Sequence, residues 1–364
     1  MHKTAATPLS LMYAVLIVYA SLYPFSEWRD QGMAPWVFLS APLPKYWTAF
    51  DVWTNVIGYV PFGALLTLSA LRSGKGKYRV LIAVLCAGML SLLLETLQGF
   101  LPARVPSRED WLLNSCGAML GAFSALALER MGAIDHWSRI RSSWFVRQSR
   151  GALVLLAMWP VALLFPPPIP FGSGQVFERL EAEIAQQLRD TPFLDWLPVR
   201  DVELQPLAPG VELLCIVLGL LIPCLLGFTV IRTLGRRLFF VPLLIGAGVA
   251  TTALSAGLSW GPVHMFAWLD TPCQLALVSA LVLATGLAFV PARASAALIL
   301  LALGVYLSLL NQAPESPYFA QTLQSWEQGN FIRFNGLAQW FGWIWPYATL
   351  AYVLSTLWQR EPQT

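Results

Sequence analysis

The sequence predicts an all-α, polytopic transmembrane helical bundle, and three observations carry that expectation. Hydrophobic residues make up 57% of the chain and charged ones 12%, with a mean hydropathy of +0.60, too apolar for a soluble globule of 364 residues. Apolar runs close to the roughly 20 residues that cross a hydrocarbon core as a helix recur along the whole length. Lys and Arg collect in alternate connections, as expected of loops retained on the inner side of a membrane.

About ten segments follow in order. They centre on Leu9 to Tyr23, Val52 to Leu71, Val80 to Leu101, Trp111 to Leu128, Ala152 to Phe165, Val211 to Val230, Leu238 to Leu258, Gln274 to Val290, Ala294 to Leu310 and Leu337 to Leu357. The first runs into Tyr23-Pro24 without a small-residue cleavage pattern and reads as a signal anchor. With the N-terminus inside, the inner connections receive Arg72, Lys75, Lys77 and Arg79, then Arg130, Arg139, Arg141, Arg147 and Arg150, then Arg232, Arg236 and Arg237. Both termini are then cytoplasmic, and the acidic stretch from Pro166 to Gly210 falls outside. The net charge of +3 is spread over inner loops facing anionic lipid, so it gives no case for a nucleic-acid partner. The five cysteines lie in or beside spans, with neither a disulfide framework nor a zinc spacing.

The chain is expected to divide at its basic stretch. Residues 1–130 form a first transmembrane domain, 131–150 a basic cytoplasmic linker, and 151–364 a C-terminal transmembrane region with an extracytoplasmic loop at about 166–210. That loop opens Pro166-Pro167-Pro168-Ile169-Pro170, which is expected to be extended. An amphipathic helix with Ser173 as N-cap and Val176, Phe177, Leu180, Ile184 and Leu188 on its apolar face should follow.

Polar residues in the first domain keep helical spacing. Asp51, Asn55, Gly58 and Phe62 fall on one face, as do Gly88, Ser91, Glu95 and Gln98, and Asp110, Asn114, Gly117 and Gly121. Small residues let helices approach closely in a bilayer, so Gly58, Gly117 and Gly121 should face one another. Glu95 is expected about six residues inside its span, roughly 9 Å below the outer end at about 1.5 Å per residue. A carboxylate at that depth must be paired, wetted or protonated, which suits a general acid or base and equally suits a lock on the bundle. Ser107, Arg108, Glu109 and Asp110 form an S-x-x-D capping box, so Asp110 has both a capping and a chemical reading. Asn114, one turn deeper, is expected to line the polar interior. Arg104 and Arg108 carry planar forks suited to phosphate oxygens, or to anchoring in the headgroup layer.

Taken together, Asn55-Val-Ile-Gly58-Tyr-Val-Pro61-Phe62-Gly63, Glu95-Thr-Leu-Gln98-Gly-Phe-Leu101-Pro102-Ala-Arg104 and Ser107-Arg-Glu-Asp110-Trp-Leu-Leu-Asn114-Ser-Cys-Gly117 resemble the VanZ-like family signature. The resemblance spans roughly residues 50–128. It implies a multi-pass protein of a bacterial inner membrane, akin to proteins compared with enzymes that modify lipid headgroups or lipid-linked cell-wall precursors. The founding member is associated with low-level resistance to the glycopeptide teicoplanin. Carried onto this chain, the resemblance implies Asn55, Glu95, Gln98, Arg104, Ser107, Asp110 and Asn114 as site positions.

The leading expectation is a site that binds or modifies the phosphate-bearing headgroup of a membrane lipid or polyprenyl-linked precursor at the extracytoplasmic face. Glu95 and Asp110 are its candidate catalytic groups, and Asn55, Gln98, Arg104, Ser107, Arg108 and Asn114 its candidate substrate-binding groups. No cofactor or protein partner is indicated, and no metal-ligand spacing is recognised. A lipid or small-molecule transporter or flippase is one alternative, although the motif residues stop in the outer half of the bundle. A non-catalytic scaffold is another, with the Trp-rich stretch from Trp326 to Trp345 as its docking surface. Asn335 and Gln339, four apart on the last span, are placed to extend the polar site. A Ser-His-Asp hydrolase has little support, since His264 is the one histidine expected outside.

Orientation is directly testable. In a cysteine-free background, a single cysteine replacing Ser138 should react in intact cells only with a membrane-permeant maleimide, and one replacing Thr191 with an impermeant reagent as well. The opposite labelling pattern would invert the topology.

Overall fold

The computed structural model describes residues 6–22, 25, 28–32, 34–41, 49–72, 78–102, 104–165, 167–189, 191–193, 207–260, 262–313 and 332–358. Among them the chain is helical, with no β-strand beyond an isolated antiparallel bridge between Phe145 and Ile231. Among the described residues six helices are long and apolar enough to cross a membrane, and three shorter apolar ones run to 17 residues or fewer. This is a polytopic helical membrane protein. The backbone forms two compact units, Met1–Ile140 and Arg141–Thr364.

The first unit contains α1 (Ala6–Leu22), α2 (Ala49–Arg72), α3 (Arg79–Gln98) and α4 (Arg108–Arg130). Its closest helix pair is α2 against α4, and glycine is the reason. A Cβ added to Gly63, Gly117 or Gly121 would fall well inside van der Waals contact of the carbonyl oxygens of Ala118, Val56 and Val60 respectively. Only a residue without a side chain lets the two backbones meet there. Gly58, expected in this contact, is not part of it. A Cβ at Gly58 meets nothing within 4 Å, and its carbonyl instead accepts the Tyr13 hydroxyl of α1 at 2.9 Å. Gly63, one residue from the Phe62 position of the expected stripe, takes its place because the α2 face in contact is rotated by that amount.

Around this pair, Ile17, Leu22, Tyr59, Phe62, Leu94 and Leu101 form the core. At one end of the bundle Thr7 bonds Ser69 at 2.7 Å, and Arg79 pairs with Glu129 at 3.6 Å. At the other end lie the polar residues of α2, α3 and α4. Residues expected as a basic linker are helical in large part, forming α5 (Ala133–Trp144).

The second unit comprises α6 (Arg150–Ala162), α7 (Phe177–Leu188), α8 (Pro209–Val230), α9 (Leu234–Trp260), α10 (Thr271–Leu287), α11 (Ala292–Leu310) and α12 (Ile332–Trp358). Its axis is α8, apolar all round and buried over most of its length, as a fully surrounded helix must be. α10 and α11 pack directly on it, and α12 packs on α6.

The proline-rich stretch after α6 is not extended. Residues 167–176 bend back into the bundle, with Ile169 and Phe171 buried and the Gly172 amide donating to Ile169 O at 2.8 Å. Nor does Ser173 cap α7. The first amides of that helix, Val176 and Phe177, donate to Asn311 Oδ1 of α11 at 3.0 and 3.1 Å, while the Ser173 amide donates to the Tyr306 hydroxyl. Tertiary partners have taken the role that a local cap would otherwise fill. Thr251 bonds Ala247 O of its own helix, whereas Ser255 reaches across to Leu164 O. Trp345 is buried and donates to Leu155 O, so it is not surface; residues 326–331 lie outside the described residues.

Replacing Gly117 or Gly121 by Leu should destabilise the protein by at least ~1–3 kcal/mol, the range for overpacked cores. Gly58→Ala should be neutral or slightly stabilising, because only helix propensity changes. Thermal unfolding in lipid nanodiscs would show this; equal melting temperatures for all three variants would contradict it.

Candidate functional site

Glu95 lies nearer the helix end than expected. Helix α3 stops at Gln98, where Gly99 bonds back to Glu95 O, so the carboxylate sits in the last turn, about 4.5 Å from the terminus. It is nonetheless 4% exposed. Its Oε2 accepts the Ser107 amide at 2.8 Å.

That bond changes the capping box at the start of α4. Ser107 Oγ accepts from the Glu109 and Asp110 amides at 3.1 and 3.4 Å, as an N-cap should. The return bond to the Ser107 amide comes from Glu95 of another helix, while Asp110 Oδ1 accepts from Asn55 Nδ2 of α2 at 2.8 Å. A local motif is thus shared among three helices. The carboxylates also lie where the partial positive charge of the α4 N-terminus favours them.

One turn deeper, Asn114 Nδ2 donates to Ser91 Oγ at 3.0 Å, joining α4 to α3. Among the described residues Asn114 Oδ1 is buried without a hydrogen-bond partner, and the buried Tyr59 hydroxyl has Ser91 as its neighbour. Buried polar atoms without a partner are uncommon and call for an explanation. Tyr59 stands beside Ser91 and Glu95. The result is a small polar interior of one carboxylate, two hydroxyls and an amide, in which Asn114 Oδ1 can accept a further hydrogen bond.

Gln98 turns toward α1, donating to Ser21 O at 2.9 Å, and Arg104 reaches Ala20 O at 3.5 Å. Arg108 makes a long contact of 3.4 Å with Leu39 O. The expected residues therefore converge at one end of the unit but not on a single point. Asn55 pairs with Asp110, Asn114 with Ser91, Glu95 with Ser107, and Gln98 with α1. The side chain of Asp51 lies outside the described residues. Among the described residues no three His, Cys, Asp or Glu side chains gather in metal-binding range.

Residues 4–129 match the family model described as VanZ/LLP1. The first unit is a VanZ-like domain. The match begins far ahead of the polar motifs and takes in α1, in keeping with the bonds from Gln98 and Arg104 to that helix. No curated protein and no solved structure matches the chain.

Several contributors to the VanZ-like polar end were not singled out in the sequence. Tyr59 follows Asn55 by four residues and so carries the stripe inward, a signal masked by its aromatic character. Arg29 arrives through the loop after α1, its amide donating to Phe100 O at 3.0 Å, with Gln31 donating to Gly99 O. Trp111 ties α4 to α3 by donating to Gly88 O at 3.0 Å. Gln339 lines a cleft composed wholly of second-unit residues.

A double-mutant cycle on Asn55→Ala and Asp110→Ala should give a coupling of ~0.5–3 kcal/mol in unfolding free energy, as for residues in direct contact. Ser107→Ala should cost about 1 kcal/mol through the lost cap. Strict additivity of the Asn55 and Asp110 substitutions would remove the α2–α4 bridge from the account.

Proposed function

We propose that the VanZ-like unit binds, and through Glu95 modifies, a phosphate-bearing lipid headgroup or polyprenyl-linked cell-envelope precursor at the extracytoplasmic face of the membrane. The observation that carries this reading is Glu95 itself, a buried carboxylate in a polar interior where Asn114 Oδ1 has no partner among the described residues, at a bundle end carrying Arg29, Arg104 and Arg108. Guanidinium groups at the rim suit phosphate oxygens. Behind them, Glu95 is the group able to take or give a proton, with Asn114 offering an acceptor to a substrate hydroxyl. Asn55, Gln98, Ser107 and Asp110 hold the helices and the carboxylate in place. The sidedness follows from the basic inner connections, and the VanZ-like relationship makes altered glycopeptide tolerance a reasonable phenotype to measure.

A second reading has a specific observation behind it. The Asn55–Asp110, Asn114–Ser91 and Glu95–Ser107 bonds are those of a clasp, and a clasp needs no chemistry. Glu95→Gln separates the two, because a glutamine oxygen still accepts the Ser107 amide but cannot relay a proton. The catalytic reading predicts that Glu95→Gln inserts and melts like wild type yet fails to restore the lipid and envelope-precursor profile of a deletion strain. The rate loss should be about 10²–10⁴-fold, typical of a missing acid or base. Full restoration by a well-inserted Glu95→Gln protein would leave the clasp as the role of this residue.

A further inference from the structure

Between α6 and α12 of the second unit lies a narrow, partly open cleft. One wall is the bent segment after α6, of which Gly172 to Gln175 line the cleft. Non-helical backbone inside a membrane bundle survives only where its polar groups are satisfied or line a cavity. Here much is satisfied by the protein: Tyr306 donates to Phe171 O, Asn311 and Tyr347 donate to Gly174 O, and Gln175 donates to Ala313 O. The segment is also conformationally costly. Phe171 is fully buried at φ 60°, a left-handed setting that non-glycine residues rarely take, and Gly174 sits at φ 95° where a Cβ would collide with Pro346 and Leu307. Such strain persists only where the surroundings enforce it.

The opposite wall supplies Gln339 and Trp343 of α12, and Phe165, Pro167 and Pro168 close the apolar side. Among the described residues Gln339 Nε2 is buried with no hydrogen-bond partner, an amide donor held at the cleft, and no described lining residue is charged. A phosphate or ammonium group entering here would lose its hydration without a counter-charge, which is prohibitive. An uncharged oxygen would instead receive the Gln339 amide while an apolar stem or sugar face rests on Trp343 and the prolines, as in the common pattern of small-molecule sites.

We propose that this cleft is a binding site of the second unit for the uncharged, oxygen-bearing headgroup of a neutral lipid, with Gln339 as hydrogen-bond donor and Trp343 as apolar platform. It is independent of the role given to Glu95. A glycerol hydroxyl or ester oxygen and a glycosyl hydroxyl share this chemistry.

The full-length protein in phosphatidylcholine nanodiscs, titrated with dioleoylglycerol, glucosyl-dioleoylglycerol or dioleoylphosphatidate, distinguishes them by native mass spectrometry. Saturable binding of one or both neutral lipids is expected, with phosphatidate not competing. Binding of the glucosyl lipid alone identifies the sugar as the ligand, whereas equal binding of both identifies the glycerol oxygens. Gln339→Leu and Gln339→Met should each weaken binding about tenfold with little change in melting temperature. Absence of saturable neutral-lipid binding, competition by phosphatidate, or wild-type affinity in whichever Gln339 variant folds would overturn the assignment.

Discussion

The backbone contact between α2 and α4 is the constraint on which the VanZ-like unit depends. Gly63, Gly117 and Gly121 remove the side chains that would hold the helices apart, and the approach they permit sets the register along the whole pair. That register puts Asn55 against Asp110 at the polar end. It also fixes where α4 begins, and hence where the Ser107 amide meets Glu95. In a bilayer the lipid is as apolar as the helix faces, so close packing of this kind rather than hydrophobic burial determines which helices associate. The polar network then follows from the packing; its individual bonds would be too weak to impose the register alone.

Helix class and approximate helix positions were legible because they rest on hydropathy and length, which the chain states plainly. The convergence of Asn55, Ser91, Glu95, Asp110 and Asn114 was legible for a similar reason, since helical spacing puts residues on one face before any tertiary contact is known. What could not be read was which partner each would choose. The capping box gave the start of α4 correctly from Ser107, but spacing alone could not reveal that Glu95 would supply the return bond. Gly58 and Gly63 lie on the same helix, and only the rotation of α2 decides which meets α4. Tyr59 was overlooked because an aromatic residue in an apolar span looks like packing until its hydroxyl is seen beside Ser91 and Glu95.

The second unit follows a different logic. Its central helix α8 is surrounded on all sides, and a buried polar side chain at the end of α11 organises the segment that follows α6. Asn311 both caps α7 through Val176 and Phe177 and holds the bent segment through Gly174 O. Proline run and glycine pair together make a stretch that can be neither helix nor strand, and the bundle accommodates it by supplying side-chain partners. The proline run expected to be extended is instead bent, because sequence composition reports what the backbone cannot adopt, not where neighbouring hydroxyls and amides will draw it.

The account rests most directly on the facing of α3 and α4 at the polar end, which cross-linking in native membranes can measure. In a chain whose only cysteines are at positions 91 and 114, mild oxidation should join α3 to α4 rapidly and nearly completely. The corresponding chain with cysteines at 91 and 116, where residue 116 faces outward, should remain largely unjoined. Equal cross-linking of both pairs, or preference for the second, would contradict the arrangement that brings Ser91, Glu95 and Asn114 into one polar interior.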